Sequence, residues 1–189
     1  LIAMTIGLLK LPPVRGNRVA ILGGAGGGSV TMTDLAEKEG LKVPHLAEET
    51  VQKLKQIIPV SGTSVKNPLD IGFSSVYKDE EQYLKLYRYL GEDPNIDAVL
   101  FSRSIFRGRG GGRADLDFLV RATMKAMELV DKPVLVILER GQTLEWEALR
   151  EEAAGRYKDA GIATFRSFQI GARVLSNLYQ YHEFLKSLS

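Results

Sequence analysis

Short apolar runs rich in β-branched residues recur along the chain, each followed by a stretch whose apolar residues stand three and four apart. The runs lie at residues 17–23 (NRVAILG), 41–46 (LKVPHL), 96–102 (IDAVLFS), 133–139 (PVLVILE) and 162–167 (IATFRS). Apolar on successive positions and ended by glycine or polar residues, they read as strands buried on both faces. The intervening stretches read as amphipathic helices. "SVTMTDLAEKEG" stops at Gly40, a favoured residue just past a helix end, and "EETVQKLKQII" aligns Val51, Leu54, Ile57 and Ile58 on one face. Further helices are predicted from Glu80 to Leu90, from Asp115 to Val130, from Leu144 to Ala160 and from Ser167 to Leu188. Strict alternation of strand and helix predicts an α/β fold: a flavodoxin-like, doubly wound, parallel five-stranded sheet in a three-layer α/β/α sandwich. Ligands of such folds bind beyond the carboxyl ends of the strands.

That rule gives the loops their interest. "ILGGAGGGSV" carries five glycines from the first strand into the first helix that follows it. Glycine permits close backbone approach, and a helix start offers unpaired N–H groups and the positive end of its dipole, so Gly24, Ala25, Gly26, Gly27, Gly28 and Ser29 form a candidate anion seat. The alternative is a tight turn that needs glycine only for sterics. The dinucleotide fingerprint fails at Ser29, where its third glycine belongs, and no P-loop lysine follows. "SIFRGRGGGRADLDF" is a second candidate seat: Gly108, Arg109, Gly110, Gly111, Gly112 and Arg113 combine backbone donors with cations between a strand and a helix. A flexible surface loop is the plainer reading there. "RGQTLE" at 140–145 follows another strand and belongs to the same rim. The long connection at 59–75 contains "KNPLDIG", in which Asn67 precedes proline and is pushed towards extended geometry, while Asp70 is either an acceptor for a loop amide or a turn residue.

Composition narrows the function. A chain of 189 residues suits one large domain, with residues 17–189 as its body and 1–16 as a helix and linker following another domain. The net charge of +2 is too small to make nucleic acid or acidic lipid the main partner. The chain has no cysteine, which removes disulfides, thiolate metal sites and a cysteine nucleophile and agrees with a cytoplasmic location. The apolar opening "LIAMTIGLLK" falls well short of the roughly 20 residues of a membrane span. His45 and His182 occupy settings where histidine is usually structural, Tyr83, Tyr87 and Tyr89 read as packing residues on an amphipathic helix, and no metal-ligand cluster or Ser–His–Asp pattern is evident.

Taken in order, "AILGGAGGGSVTMTDLAEKEGLKV", "VKNPLDIG" and "DPNIDAVLFSRSIFRGRGGGRADLDFLVRA" resemble the carboxyl-terminal CoA-ligase domain of the succinyl-CoA synthetase β subunit. They resemble equally the matching domain of NDP-forming acyl-CoA synthetases of the acetate–CoA ligase (ADP-forming) type, over residues 15–188. The resemblance implies a reaction in which a small carboxylic acid, CoA and a nucleoside triphosphate give acyl-CoA, nucleoside diphosphate and phosphate through an acyl phosphate and a phosphohistidine. It implies that helix N-termini hold the phosphohistidine, with amides at 108–112 facing the phosphoryl group and the 24–29 turn and Asn67 completing the pocket floor. The family's phosphohistidine segment has no counterpart in this sequence, so no catalytic residue is assigned within it. The resemblance further implies a CoA-binding, phosphohistidine-bearing domain and an ATP-grasp domain as partners, in the same polypeptide or another subunit, with homo-oligomers among the expected assemblies. CoA and ATP or ADP with Mg would be substrates of the complete enzyme, with no tightly bound cofactor. The competing reading is a regulatory or scaffolding module that binds a CoA ester or carboxylate without chemistry.

Overall fold

A computed structural model of the chain describes residues 1–23, 27–59, 63–71, 76, 79–103 and 113–188, except for the side chains of 103 and 113–115. Helix α1 (Ile2–Lys10) leads into strand β1 (Val19–Leu22), then α2 (Gly27–Lys38), α3 (Glu48–Lys55) and α4 (Glu80–Glu92). The order continues β2 (Ala98–Arg103), α5 (Arg113–Met127), β3 (Val134–Leu138), α6 (Leu144–Asp159), β4 (Thr164–Phe165) and α7 (Phe168–Ser187). The four strands form one parallel sheet in the order β1-β2-β3-β4.

Strand residues alternate between two separate apolar cores. Ala20, Leu22, Val99, Phe101, Val136 and Leu138 join a cluster with α4, α5 and α6, through residues such as Leu86, Leu119 and Tyr157. Val19, Ile21, Leu100, Leu135 and Ile137 join another with α2 and α7, through Met32, Ala36, Leu175 and Leu178. Helices therefore cover both faces, which is why these strands show no polar face in the sequence. Helix α1 lies against α7 on the second face. A Cβ on its Gly7 would stand 2.6 Å from Val174 Cγ1, so glycine at that point lets the two helices meet closely.

The predicted strand at 41–46 is the main correction. Lys42 alone pairs with Arg18, as a single parallel bridge, so among the described residues the sheet has four strands rather than five. Pro44 has no N–H to continue the ladder. The outer edge of β1 is instead satisfied in three pieces. Val19 N donates to Lys42 O at 2.8 Å, the Asn67 side chain takes the middle, and Leu69 N donates to Ile21 O at 2.8 Å above it.

The tyrosines belong to the core, as their spacing predicts. Tyr83 and Tyr87 are fully buried, and Thr123 Oγ1 lies 2.8 Å from the Tyr83 hydroxyl and 3.2 Å from that of Tyr157. One threonine thus ties α4, α5 and α6 together. Thr123→Val keeps the shape and removes a partner of both phenols, so a loss of about 1–3 kcal/mol is expected, read as a lower urea midpoint with unchanged m-value.

Candidate rim at the carboxyl ends of the strands

Because β1, β2 and β3 are parallel neighbours, Gly23, Arg103 and Glu139 leave the sheet at the same end. Residues 24–26 and 104–112 lie outside the described residues, and with them Gly24, Ala25, Gly26, Gly108, Arg109, Gly110, Gly111 and Gly112. The helices that follow those loops begin at Gly27 and Arg113, so the starts of α2 and α5 flank the rim.

The glycine run of the first loop divides into two kinds of position. Gly23 has φ +122°, and a Cβ there would stand 1.9 Å from Ser102 O, so this glycine answers to the neighbouring strand. Gly27 and Gly28 are exposed, and among described atoms a Cβ on either would meet nothing within 4 Å. Their side-chain-free surface opens outward at the helix start. Ser29, in the same first turn, has a buried Oγ with no hydrogen-bond partner among the described residues. An unsatisfied hydroxyl beside the free N–H groups of a helix start is a donor set without an acceptor.

The starts of α6 and α7 on this rim already have acceptors. On α6, Thr143 Oγ1 accepts from Trp146 N at 3.2 Å, and Glu145 and Glu147 sit in the first turn. On α7, Ser167 Oγ accepts from Ile170 N, and Glu139 Oε1 accepts from Phe168 N at 3.2 Å and from Ser102 Oγ at 3.3 Å. Helix α2 has no acidic residue in its first turn. Of the starts of α2, α6 and α7, that of α2 is therefore the one without an acceptor among the described residues, open to an outside anion.

The third loop, 140–145, is tied back to α6, where Gly141 N donates to Glu147 and an ion pair holds that carboxylate in place. Arg150, 3% exposed, donates to Glu147 Oε1 at 2.7 Å, and Glu151 also contacts it. The hydrogen bond from Arg150, with a second from Gly141 N at 2.9 Å, lowers the Glu147 carboxyl from 4.5 to about 2. A carboxyl depressed in the folded state adds stability that is complete above its unfolded pKa and fades as pH falls through the folded one. Acid unfolding followed by circular dichroism is expected to show Glu147→Gln removing part of the pH dependence between 4.5 and 2, with little change in its slope above 5.

Asn67 proves to be a structural residue of the β1 edge rather than a group facing the rim. Its Oδ1 accepts from Ile21 N at 2.9 Å, while Nδ2 donates to Val19 O at 2.7 Å and Pro44 O at 2.9 Å. Asp70 pairs through its backbone with Ser64 in an antiparallel bridge. Arg113 starts α5. His45 offers its carbonyl to Asn95, and His182 Nδ1 lies 2.7 Å from Leu178 O, both structural uses. The sequence reading missed Ser102 and Glu139, whose only signal was polarity at the carboxyl end of an apolar run. Among the described residues no cluster of three metal-ligating side chains occurs, and no helix is long and apolar enough to cross a membrane.

No family model matches the chain. A curated relative, the acetate–CoA ligase [ADP-forming] II subunit alpha of Pyrococcus furiosus, is 38% identical over 89 residues, 47% of this chain and 19% of that protein. The acetate–CoA ligase [ADP-forming] I of Archaeoglobus fulgidus is 33% identical over 94 residues, 49% of this chain and 13% of that protein. Among solved structures, PH0766 from Pyrococcus horikoshii OT3 superposes with TM-score 0.78 at 28% identity, over 96% of this chain and 39% of that one. The chain thus spans about a fifth or less of these two curated relatives and two fifths of the solved one.

Proposed function

We propose that this chain, whose relatives support a CoA-ligase domain of the NDP-forming acyl-CoA synthetase superfamily, supplies helix N-terminal anion seats for the acyl-phosphate and phosphohistidine step of an acid–CoA ligase. The overall reaction joins a carboxylic acid to CoA at the expense of a nucleoside triphosphate, releasing nucleoside diphosphate and phosphate. CoA and the nucleotide, with Mg, are substrates of the assembled enzyme. A CoA-binding, phosphohistidine-bearing domain and an ATP-grasp domain complete it, and the chain alone does not turn over. The fold is the flavodoxin-like sandwich, with residues 41–46 and 67–70 together standing where a fifth strand would run.

The observation that carries this reading is the start of α2: among the described residues, Gly27 and Gly28 stand open beside a buried Ser29 hydroxyl that has no partner. A transferring phosphoryl group spreads negative charge over its non-bridging oxygens, and fixed amide and hydroxyl donors stabilise it without reorganising. By sequence position, just after β2, the 108–113 stretch with Arg109 and Arg113 is assigned to the same guest. Asp70 belongs to the turn that holds the β1 edge against this rim.

The test joins the chain to the missing domains of an ADP-forming acetate–CoA ligase and follows acyl-CoA formation. Ser29→Ala removes one donor to a charged group and is expected to lower turnover roughly 10–100-fold while leaving the urea midpoint in place. Unchanged turnover in that variant contradicts the seat. Anion binding by an assembly that forms no acyl-CoA would instead favour a regulatory module.

A further inference from the structure

A second candidate site lies at the opposite end of the sheet. A cleft of about 410 Å³ opens between the segment before β1 and the last turns of α7, lined by Pro13, Val14, Arg15, His182, Leu185 and Lys186. Helix α7 starts at the rim, where Phe168 N meets Glu139, and His182 lies 14 residues further on. At 1.5 Å per residue that is about 21 Å away.

The lining has two characters. Pro13 and Leu185, the latter 42% exposed, give an apolar wall open to solvent, with the fully buried Val14 behind it. Arg15 makes no hydrogen bond or ion pair among the described residues, whereas Lys186 contacts Glu183 Oε1 at 2.7 Å. His182 turns Nδ1 to Leu178 O, which leaves Nε2 as its remaining polar atom. Glu183, one turn before Lys186, is already paired with it. An apolar wall with a guanidinium and an ammonium at its mouth is complementary to an organic anion with a hydrocarbon body.

We infer that this cleft binds a free aliphatic carboxylate, with its chain against Pro13 and Leu185 and its head on Arg15 and Lys186. The site is separate from the rim, so the inference stands whether or not the ligase reading does.

The probes are butanoate, hexanoate and octanoate, with 1-hexanol as the neutral control, read by methyl resonances of Val14 and Leu185 in the 189-residue chain. Affinity is expected to rise about two- to fourfold per added methylene. Hexanoate should exceed 1-hexanol by about five- to tenfold, a preference that Arg15→Ala with Lys186→Ala abolishes. Both replaced residues lie at the surface, and an unchanged urea midpoint confirms that the variant folds. Equal binding of the alcohol, no dependence on chain length, or an undiminished preference in the double variant overturns the assignment. So does co-sedimentation with phosphatidylglycerol vesicles in the absence of any response to free octanoate, since that assigns the surface to lipid headgroups.

Discussion

Asn67→Ala is expected to destabilise the chain by roughly 3–6 kcal/mol, because two buried main-chain groups and one partly buried one lose their partner together. The amide of Ile21 and the carbonyls of Val19 and Pro44 all end on that side chain. Val19, Ile21 and Leu69 are fully buried, so the groups of β1 that Asn67 serves are shielded from bulk water. Asn67→Asp separates shape from chemistry. It keeps the acceptor for Ile21 N but turns a carboxylate oxygen towards two carbonyls, so it too should unfold at much lower urea. A midpoint within error of the parent for either variant would show that the edge of β1 is held some other way. Stabilities of domains are commonly 5–15 kcal/mol, so a loss of this size decides whether the protein accumulates at all.

Gly23→Ala is expected to have an effect of similar size for a different reason. The added Cβ would stand 1.9 Å from Ser102 O, where ordinary contacts begin above 3 Å, and the residue would have to keep φ +122°. Left-handed strain and forced separation of two packed strands add to roughly 3–6 kcal/mol. The clash involves backbone on both sides, so no rotamer change relieves it. Thermal unfolding should show the loss directly, and hydrogen exchange should locate it at β1 and β2. A variant as stable as the parent would mean that β1 and β2 do not approach as described. By contrast, Gly27→Ala and Gly28→Ala meet open space and should leave stability nearly unchanged.

This contrast explains what the sequence could and could not disclose. Helices α4 and α7 were legible to within a few residues because their apolar periodicity is strong, whereas α6 has almost none; all three are marked by Asp79, Thr143 and Ser167, whose side chains accept a hydrogen bond at the helix start. The central strands were legible because both faces are buried. The edge was not: "LKVPHL" has strand composition, yet what pairs with β1 is one residue of it, one distant side chain and one distant backbone segment. Periodicity reports only burial, and cannot say that an asparagine more than 40 residues away will replace a strand. At the rim, five glycines looked equivalent in sequence. Geometry separates Gly23, which faces a carbonyl, from Gly27 and Gly28, which face outward. Likewise Glu139 reads as the polar end of a strand until its contact with Phe168 N shows it filling a helix start that would otherwise be open.

The reading of the rim therefore rests on charge already supplied. Helices α6 and α7 begin against the protein's own oxygen acceptors, and α2 begins against none in the described chain. The most direct measurement is a titration of the chain with inorganic phosphate, following backbone amide resonances. The account predicts saturable shifts at Gly27, Gly28 and Ser29, weakened in Ser29→Ala, with the starts of α6 and α7 unmoved. Amides at the start of α2 that ignore phosphate, or shifts confined to Trp146 and Phe168, would contradict it.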